Sequence, residues 1–358
     1  MAVDFQEEIN DGILRSHNFI CVISPHGIQS QHVKKEIELA VRLKKRIIPV
    51  LHVEPSAAMV NKYLHPRIAK LNWVYFRDDI EVFEEALHKL LEAISHRIDF
   101  VRTHTFVLYK SQLWKENQKK EDYLLLGSKR KVAQEWLEIK FEDEQPPVEV
   151  TNQQCQYTAQ SRWLAERFAS DVFIVSAPDD SYWQKKIKFA LLRLGKTVSD
   201  RTDLIPNVNQ DETLEFHIIN AKHIVHLVSL ESKGDTDNTN ELELSVKYNK
   251  PIVRVFLDDV EFDNTQGQIG RLSFKDVQIG DSFRTKLNEL LRFIEQEDDY
   301  FTKHQKLLIR ATNWERQKEN PALLLRGNLL QQAQVWAESA HNRTHNPPLD
   351  FQQKFISE

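Results

Sequence analysis

The sequence predicts an α/β protein in which a parallel sheet is covered by helices on both faces. Apolar runs of strand length, such as residues 171–176 and 224–229, alternate with segments whose apolar residues recur at helical spacing. These runs are apolar throughout, which is typical of strands that are buried on both faces. Hydrophobic residues make up 41% of the 358-residue chain and charged residues 28%, so the composition indicates a folded globular protein.

The second half of the chain repeats much of the first half. Adding 205 to the residue numbers aligns the segment around Glu36 with the segment around Glu241, and adding 200 aligns the segments that follow residue 104. Scattered identities at constant spacing indicate a duplicated unit of about 200 residues. The matched pairs include Ser24 with Ser229, Lys45 with Lys250, His104 with His304, Trp114 with Trp314, and Trp136 with Trp336.

The second copy shows the order of the elements more fully. A buried strand over residues 171–176 is followed by a helix over 181–194, which Gly195 would end as a C-terminal cap. A short strand from residue 197 then leads into a polar loop over 200–209. The remaining predicted elements are a helix at 211–221, a strand at 224–229, a helix at 240–248, a strand at 252–257, an edge strand at 272–274 and a helix at 282–296.

Each copy ends in a helical segment followed by a polar, proline-bearing stretch that is typical of a linker. We expect the paired tryptophans of these segments to anchor the core of a helical hairpin. The predicted division is a truncated sheet domain at 1–97, a helical appendix at 98–141, a linker at 142–165, a second sheet domain at 166–297, a helical appendix at 298–340 and a C-terminal linker at 341–358.

Composition excludes several classes of function. The nine glycines form neither GxGxxG nor GxxxxGK, the patterns whose backbone N–H groups cradle phosphates in dinucleotide-binding and P-loop proteins. A net charge of −5 provides no basic field for nucleic acid or anionic membrane, and the apolar runs are too short to span a bilayer. Two cysteines, Cys21 and Cys155, exclude a disulfide framework and fit a reducing compartment, so we expect a cytoplasmic protein.

One block of the sequence carries a family resemblance. Residues 17–54 read HNFICVISPHGIQSQHVKKEIELAVRLKKRIIPVLHVE: an apolar strand that ends in Ser-Pro, a helix with Ser30 and Glu36, and a strand over 45–50. This block resembles the TIR (Toll/interleukin-1 receptor) domain of bacterial proteins, and residues 221–257 resemble it more distantly. The helical appendix is similar to segments that follow TIR or STAND-type ATPase modules in multidomain cyanobacterial signalling proteins.

The resemblance implies a flavodoxin-like fold with a strand order near 2-1-3-4-5, and two alternative activities. Some TIR domains are adaptors that associate with other TIR domains, and others hydrolyse NAD with a glutamate on the third helix and a mobile loop. Glu36 and Glu241 fall at the position of that glutamate, where a carboxylate could stabilise the positive charge that develops as nicotinamide leaves. The alternative is a solvated acid in the first turn of a helix. NAD would be a substrate, so no bound cofactor is expected, and no residues show metal-ligand spacing.

The loop after the second strand is the other candidate site. Asp200, Arg201, Asp203 and Pro206 occupy the position of the family's BB loop, which the resemblance implies is a self-association surface. An ordinary surface turn is the alternative explanation of the same residues.

Two departures from the family pattern favour association, or a decayed fragment without activity, over hydrolysis. Asp235 and Asp237 stand near Glu241 and would repel the phosphates of a dinucleotide. The first copy has no counterpart of residues 171–205, which would supply the central strand of the sheet and most of the mobile loop. Three explanations stay open: an N-terminally truncated product, pairing of the half-domain with a partner's sheet, or docking on the second copy.

We therefore expect an interaction module that associates with other TIR domains in signalling or defence. A TIR-type NAD hydrolase is the alternative, with Glu36 or Glu241 as the catalytic glutamate, or with a composite site in which the 200–209 loop of one copy lies over Glu36 of another. A decayed fragment without independent activity is the third interpretation.

Overall fold

The computed structural model describes residues 5–78, 80–141, 144–166, 169–204, 210–262 and 265–358. The chain divides into two compact units, Met1–Ser161 and Arg162–Glu358.

The first unit contains a three-stranded parallel sheet in the order β1-β2-β3. Cys21 and Ile23 pack against Ile37, because successive side chains of a strand point to opposite faces and this face meets a helix. The strands are β1 (Asn18–Ile23), β2 (Arg46–Leu51) and β3 (Val74–Tyr75). The helices around the sheet are α1 (Phe5–Arg15), α2 (Pro25–Gln29), α3 (Gln31–Arg42), α4 (Ala57–Tyr63), α5 (Pro66–Ala69) and α6 (Phe83–Ser95).

Three further helices follow the first sheet: α7 (Ile98–Glu116), α8 (Gly127–Glu138) and α9 (Asn152–Ala165). Trp114 and Trp136 are buried between them, as expected of core anchors. The Trp136 ring lies 5.4 Å from the Phe100 ring, and the Trp114 ring lies 5.5 Å from the Tyr157 ring, centroid to centroid. The aromatic side chains therefore join all three helices into one packed group.

The second unit contains a five-stranded parallel sheet in the order β5-β4-β6-β7-β8. Numbered within the unit, this is the order 2-1-3-4-5 that the family resemblance implies, and the predicted fold class is confirmed. The strands are β4 (Ser170–Val175), β5 (Val198–Asp200), β6 (Ala221–Val228), β7 (Ile252–Phe256) and β8 (Gln268–Ser273). The helices are α10 (Ser181–Arg193), α11 (Gln210–Asn220), α12 (Thr236–Lys247), α13 (Asp281–Glu295), α14 (Asp298–Arg316), α15 (Asn328–Ala340) and α16 (Asp350–Ser357).

Both faces of the central strands of this second sheet are buried, as the continuous apolar runs predict. On one face Leu227 of β6 packs with Leu191 of α10. On the other face Ile224 of β6 packs with Ile218 of α11 and Leu308 of α14.

A buried lysine recurs in the two units. In each, a lysine just before a strand donates to two carbonyl oxygens where a helix ends and the neighbouring strand follows, at α1 and β1 in the first unit and at α11 and β6 in the second. Carbonyl groups at that end of a helix have no partner within the helix, so each lysine satisfies them. The contacts are Lys45 Nζ to Leu14 O (2.6 Å) and Ser16 O (2.9 Å), and Lys250 Nζ to Ile219 O (2.7 Å) and Ala221 O (2.6 Å).

Part of each predicted linker is helical, because α9 and α16 lie inside the two stretches. Gln154 of α9 donates through Nε2 to the carbonyl oxygen of His104 at 2.8 Å, and Gln352 of α16 donates to that of His304 at 3.1 Å. These glutamine side chains are polar but buried. Both helices are therefore packed elements, although their polar composition is typical of a linker. The predicted domain boundaries stay predictions.

Helix α12 begins earlier than the sequence predicts, at Thr236 instead of residue 240. The side chain of Asp235 accepts a hydrogen bond from the N–H of Asn238 at 2.8 Å and so caps the helix at this point. Glu241 consequently lies in the second turn and is buried. The interpretation of Glu241 as a solvated acid in the first turn is therefore wrong.

Candidate functional site

The candidate site of the second unit lies at the carboxyl ends of β4 and β6. β4 is the first strand of this sheet along the chain, and it has β5 on one side and β6 on the other, so the direction of chain order reverses there. Ligands of open α/β sheets bind in the crevice at such a reversal. A binding site of the second unit is therefore expected among the side chains that follow β4 and β6.

Helix α12 positions Glu241 at this edge of the sheet. With the Asn238 amide oriented so that both of its polar atoms are paired, its nitrogen donates to Ser176 O at 3.2 Å and its oxygen accepts from Ala177 N at 3.3 Å, which ties the start of α12 to the end of β4. One turn further along, Glu241 is 1% exposed. A carboxylate so withdrawn from water needs a cation or hydrogen-bond donors close by.

Arg201 closes over the carboxylate of Glu241. Its Nε and Nη2 atoms lie 2.9 and 2.8 Å from Oε1 of Glu241, and its Nη1 donates to Asp237. Arg201 belongs to the 3-10 turn Arg201–Asp203, which follows β5 directly. The structure thus joins two residues that the sequence assigned to separate candidate sites.

Burial dominates the ionisation of Glu241. Removal from water raises the pKa of its carboxyl group to about 7; Arg201 opposes this rise, and the charges of Asp237 and Asp235 add to it. A carboxyl group with a pKa near neutrality is typical of acid–base sites, and also of buried ion pairs. The geometry favours the ion pair, because Arg201 occupies the carboxylate directly.

Asp200 and Asp203 fix the same turn to α10 through Lys188. The Lys188 ammonium lies 2.9 Å from Oδ2 of Asp200 and 2.7 Å from Oδ2 of Asp203. Burial opposes the charge on Lys188, but Asp203 and Asp200 outweigh it and raise the pKa of that ammonium. Within the turn, Asp203 Oδ2 accepts from Asp200 N at 3.0 Å and Asp200 Oδ1 accepts from Thr202 N at 2.8 Å. These two carboxylates therefore hold the shape of the turn.

The last of the predicted loop residues, Pro206, lies outside the described residues, which resume at residue 210. Of the predicted self-association surface, the structure thus places Asp200, Arg201 and Asp203. Thr202, between them, is exposed at the tip of the turn.

Glu36 stands in a more open environment in the first unit. It lies on α3, whose first turn is capped by the Ser30 side chain, and it is half-buried. Burial and the nearby charge of Glu36 raise the pKa of the Cys21 thiol to about 11. Within the part of the first unit that the structure describes, no ion pair engages Glu36. The two candidate glutamates therefore differ in both exposure and partners.

Two buried contacts near the site were missed by sequence reasoning. Asp180 accepts from the hydroxyl of Ser229 at 2.7 Å, and burial raises the pKa of Asp180. The sequence feature that could have identified Ser229 is its alignment with Ser24, because both serines stand at the end of a predicted strand. Lys188 lies on the buried face of the helix predicted at 181–194, and no spacing in the sequence identifies its two carboxylate partners.

No group of three or more His, Cys, Asp or Glu side chains among the described residues is placed to hold a metal ion. In the same residues, no helix has both the length and the apolar character that crossing a bilayer requires.

Comparison with known proteins matches residues 1–91 to the family described as TIR domain. A search of curated proteins finds no match. Among solved structures, the chain is similar to the TIR domain of the Toll-related receptor TRR-2 from the lower metazoan Hydra magnipapillata, at 20% identity. That similarity covers 36% of this chain and 99% of the other, with a TM-score of 0.32.

Proposed function

We propose that this chain, which carries a TIR domain in residues 1–91, is an interaction module that associates with other TIR domains in signal transduction or defence. TIR domains generally associate with one another, and the family match supports this role. The observation that carries the proposal is the contact between Arg201 and Glu241. In this contact the candidate catalytic carboxylate of the second unit is already paired with an arginine of the same unit. Because Arg201 stands where a substrate hydroxyl would have to bind, the contact favours association over hydrolysis.

We further propose that the second unit is a second copy of the same kind of domain. With the short helices α2, α4 and α5 of the first unit left aside, the order α11-β6-α12-β7-β8-α13 parallels the order α1-β1-α3-β2-β3-α6. The equivalent hydrogen bonds of Lys45 and Lys250 support the same alignment.

Hydrolysis of NAD at Glu241 would require Arg201 to move away. A ribose hydroxyl would have to replace two guanidinium nitrogens that lie within 3 Å of the same carboxylate oxygen. Removal of one partner from a buried ion pair leaves an uncompensated charge, which is strongly unfavourable. Asp235 and Asp237 add negative charge that opposes the phosphates of a dinucleotide.

Glu36 supports hydrolysis as a second candidate function. It lies in the segment that matches the TIR family and, among the described residues, has no ion-pair partner that a substrate would need to displace. The test is release of nicotinamide from NAD by the purified chain and by its Glu36→Gln and Glu241→Gln variants. We expect no release. Turnover that Glu36→Gln abolishes and Glu241→Gln retains would reverse the ranking of the two functions.

The proposed association is tested at the tip of the turn that follows β5. Thr202→Lys adds bulk and charge at an exposed position. It keeps the backbone N–H that donates to Oδ1 of Asp200 and removes the hydroxyl that donates to the same oxygen. Sedimentation equilibrium of the wild type should show concentration-dependent association, and Thr202→Lys should weaken it about tenfold or more. Thr344→Lys, at another exposed threonine of the second unit, is the matched control and should associate like the wild type.

Equal association of the wild type and Thr202→Lys would exclude this turn as the association surface. A wild type that stays monomeric at its highest soluble concentration would contradict homotypic association itself.

A further inference from the structure

β1 forms one of the two outer edges of the sheet of the first unit, and on its outer side it has no partner strand among the described residues. β1 pairs with β2 on one side and stands at the end of the order β1-β2-β3. The corresponding strand of the second unit, β6, lies between β4 and β7. The N–H and C=O groups along the outer edge of β1 are therefore accessible to a further strand.

The face of β1 beside this edge is apolar and exposed. Ile20 is 44% exposed and Val22 is 54% exposed. Their counterparts after adding 205, Val225 and Leu227, are 0% exposed because they pack into a core cluster with side chains of α10. The first unit thus presents to its surroundings the sheet face that α10 covers in the second unit.

The exposed apolar surface continues onto α6. Phe83, at the start of α6, is 62% exposed, and its ring packs edge-on against Phe76 with centroids 5.7 Å apart. In the second unit Phe274 and Phe283 form the same edge-on pair at 6.2 Å, and Trp183 of α10 lies 5.8 and 6.2 Å from these two rings. Within the described part of the first unit, no third ring joins Phe76 and Phe83.

We propose that this open face, made of Ile20, Val22, Phe76, Phe83 and the outer edge of β1, binds a strand–helix segment of another polypeptide. An apolar strand of that segment pairs parallel to β1, and an amphipathic helix covers Ile20 and Val22. An aromatic residue in the first turn of the helix contacts Phe83. The second unit supplies the template, because β4 pairs parallel to β6 and leads into α10, whose first turn contains Trp183.

A strand–helix segment meets two requirements that a second copy of β1 does not meet. Edge-to-edge pairing of two β1 strands would satisfy the backbone groups of both copies. It would leave Ile20 and Val22 of each copy without a covering helix, and exposed apolar patches of this kind mark interaction sites. A strand followed by a helix pairs the edge and covers the face together.

This inference goes beyond the proposed homotypic association, because it concerns β1 and α6 of the first unit and not the turn after β5. Each can fail without the other.

The experiment measures binding of the full chain to residues 169–196 of this same sequence, fused to a soluble carrier protein. This probe contains β4, the turn that follows it and α10. We expect saturable binding by biolayer interferometry. A matched probe with Val172→Asp and Ile174→Asp should bind about tenfold more weakly or worse, because these strand residues are buried in the second unit.

Variants of the full chain locate the binding surface. Ile20→Lys and Val22→Lys should each weaken binding of the probe about tenfold or more, and Phe83→Ala should weaken it without altering β1. Val132→Lys on α8, at another exposed apolar position of the first unit, is the matched control and should bind like the wild type. Thermal unfolding followed by circular dichroism separates loss of binding from loss of folding.

A folded wild-type chain that does not bind the probe would overturn the inference. So would a wild-type dimer that Ile20→Lys converts to monomer, because the occupant of the face would then be a second copy. Loss of homotypic association in Thr202→Lys with unchanged binding of the probe would leave the open face established and assign association to the other surface.

Discussion

Two nitrogen atoms of the Arg201 guanidinium converge on one carboxylate oxygen of Glu241, at distances of 2.9 and 2.8 Å. The arginine belongs to the turn after β5 and the glutamate to α12, so the contact fastens the turn to the helix at the carboxyl edge of the sheet. Because the glutamate is buried, its charge and the position of the turn depend on each other.

Ionisation of Glu241 should make the second unit less stable as the pH rises. The folded pKa of about 7 exceeds the ordinary value of 4.5, so the folded state retains a proton that the unfolded state releases between these values. The stabilisation is complete below pH 4.5 and is lost as the pH rises through 7, a change of about 3 kcal/mol in the free energy of unfolding. Urea unfolding over this range should show that the wild type loses stability relative to Glu241→Gln as the pH rises, because the opposite dependence of the buried histidines is common to both proteins.

The control for this prediction is Glu243→Gln, which changes an exposed carboxyl group on the same helix. It should keep the wild-type slope. The same slope in both variants would contradict the assignment of the pH effect to Glu241.

His223 should produce the opposite dependence on pH. Burial lowers the pKa of its imidazole to about 3, and neither ring nitrogen has a hydrogen-bond partner among the described residues. The folded state therefore favours the neutral ring, so its stabilisation is present above pH 6.5 and is lost as the pH falls towards 3. In an acid titration followed by tryptophan fluorescence, His223→Leu should unfold at a lower pH than the wild type. The exposed His345→Leu control should not, and a shared midpoint would refute the prediction.

Replacement of Lys250 by methionine should destabilise the second unit by about 2–5 kcal/mol. The methionine fills a similar volume but leaves the carbonyl oxygens of Ile219 and Ala221 buried without the donor that now lies 2.7 and 2.6 Å away. Urea unfolding at neutral pH measures the loss. Lys233→Met, at an exposed position, should change the free energy of unfolding by about 0.5 kcal/mol or less. A Lys250→Met variant as stable as the wild type would show that the contact contributes nothing.

Phe355→Ala should destabilise the second unit by about 3–5 kcal/mol, because the ring is buried and packs 5.5 Å from the Trp314 ring. Gln353→Ala, on the exposed side of the same helix, should have little effect. Equal free energies of unfolding for the two variants would mean that α16 is a dispensable tail and not a packed element.

The buried strands could be predicted from sequence because burial on both faces leaves a continuous apolar run, as in β6. The contact between Arg201 and Glu241 could not be predicted. It depends on where the chain returns after 40 residues, and neither residue type signals the other. The partners of Lys188 could not be predicted either, because Asp200 ends β5 and Asp203 lies in the turn that follows it.

Helices α9 and α16 escaped prediction for a different reason. Gln154 and Gln352 are buried, and each donates to the carbonyl oxygen of a histidine on a neighbouring helix. A polar core position of this kind weakens the apolar periodicity on which helix prediction depends. The hydrogen bond that satisfies the side chain exists only in the folded chain.

The two buried lysines make the stability of each unit separately measurable in one intact chain. An ammonium group enclosed by two carbonyl oxygens reacts with an acetylating reagent only when the surrounding structure opens. Because Lys45 lies in Met1–Ser161 and Lys250 in Arg162–Glu358, mass spectrometry of the two acetylated sites gives two opening rates from the same sample. The ratio of these rates, with and without the strand–helix probe, would report how strongly a covered sheet edge protects a unit from opening.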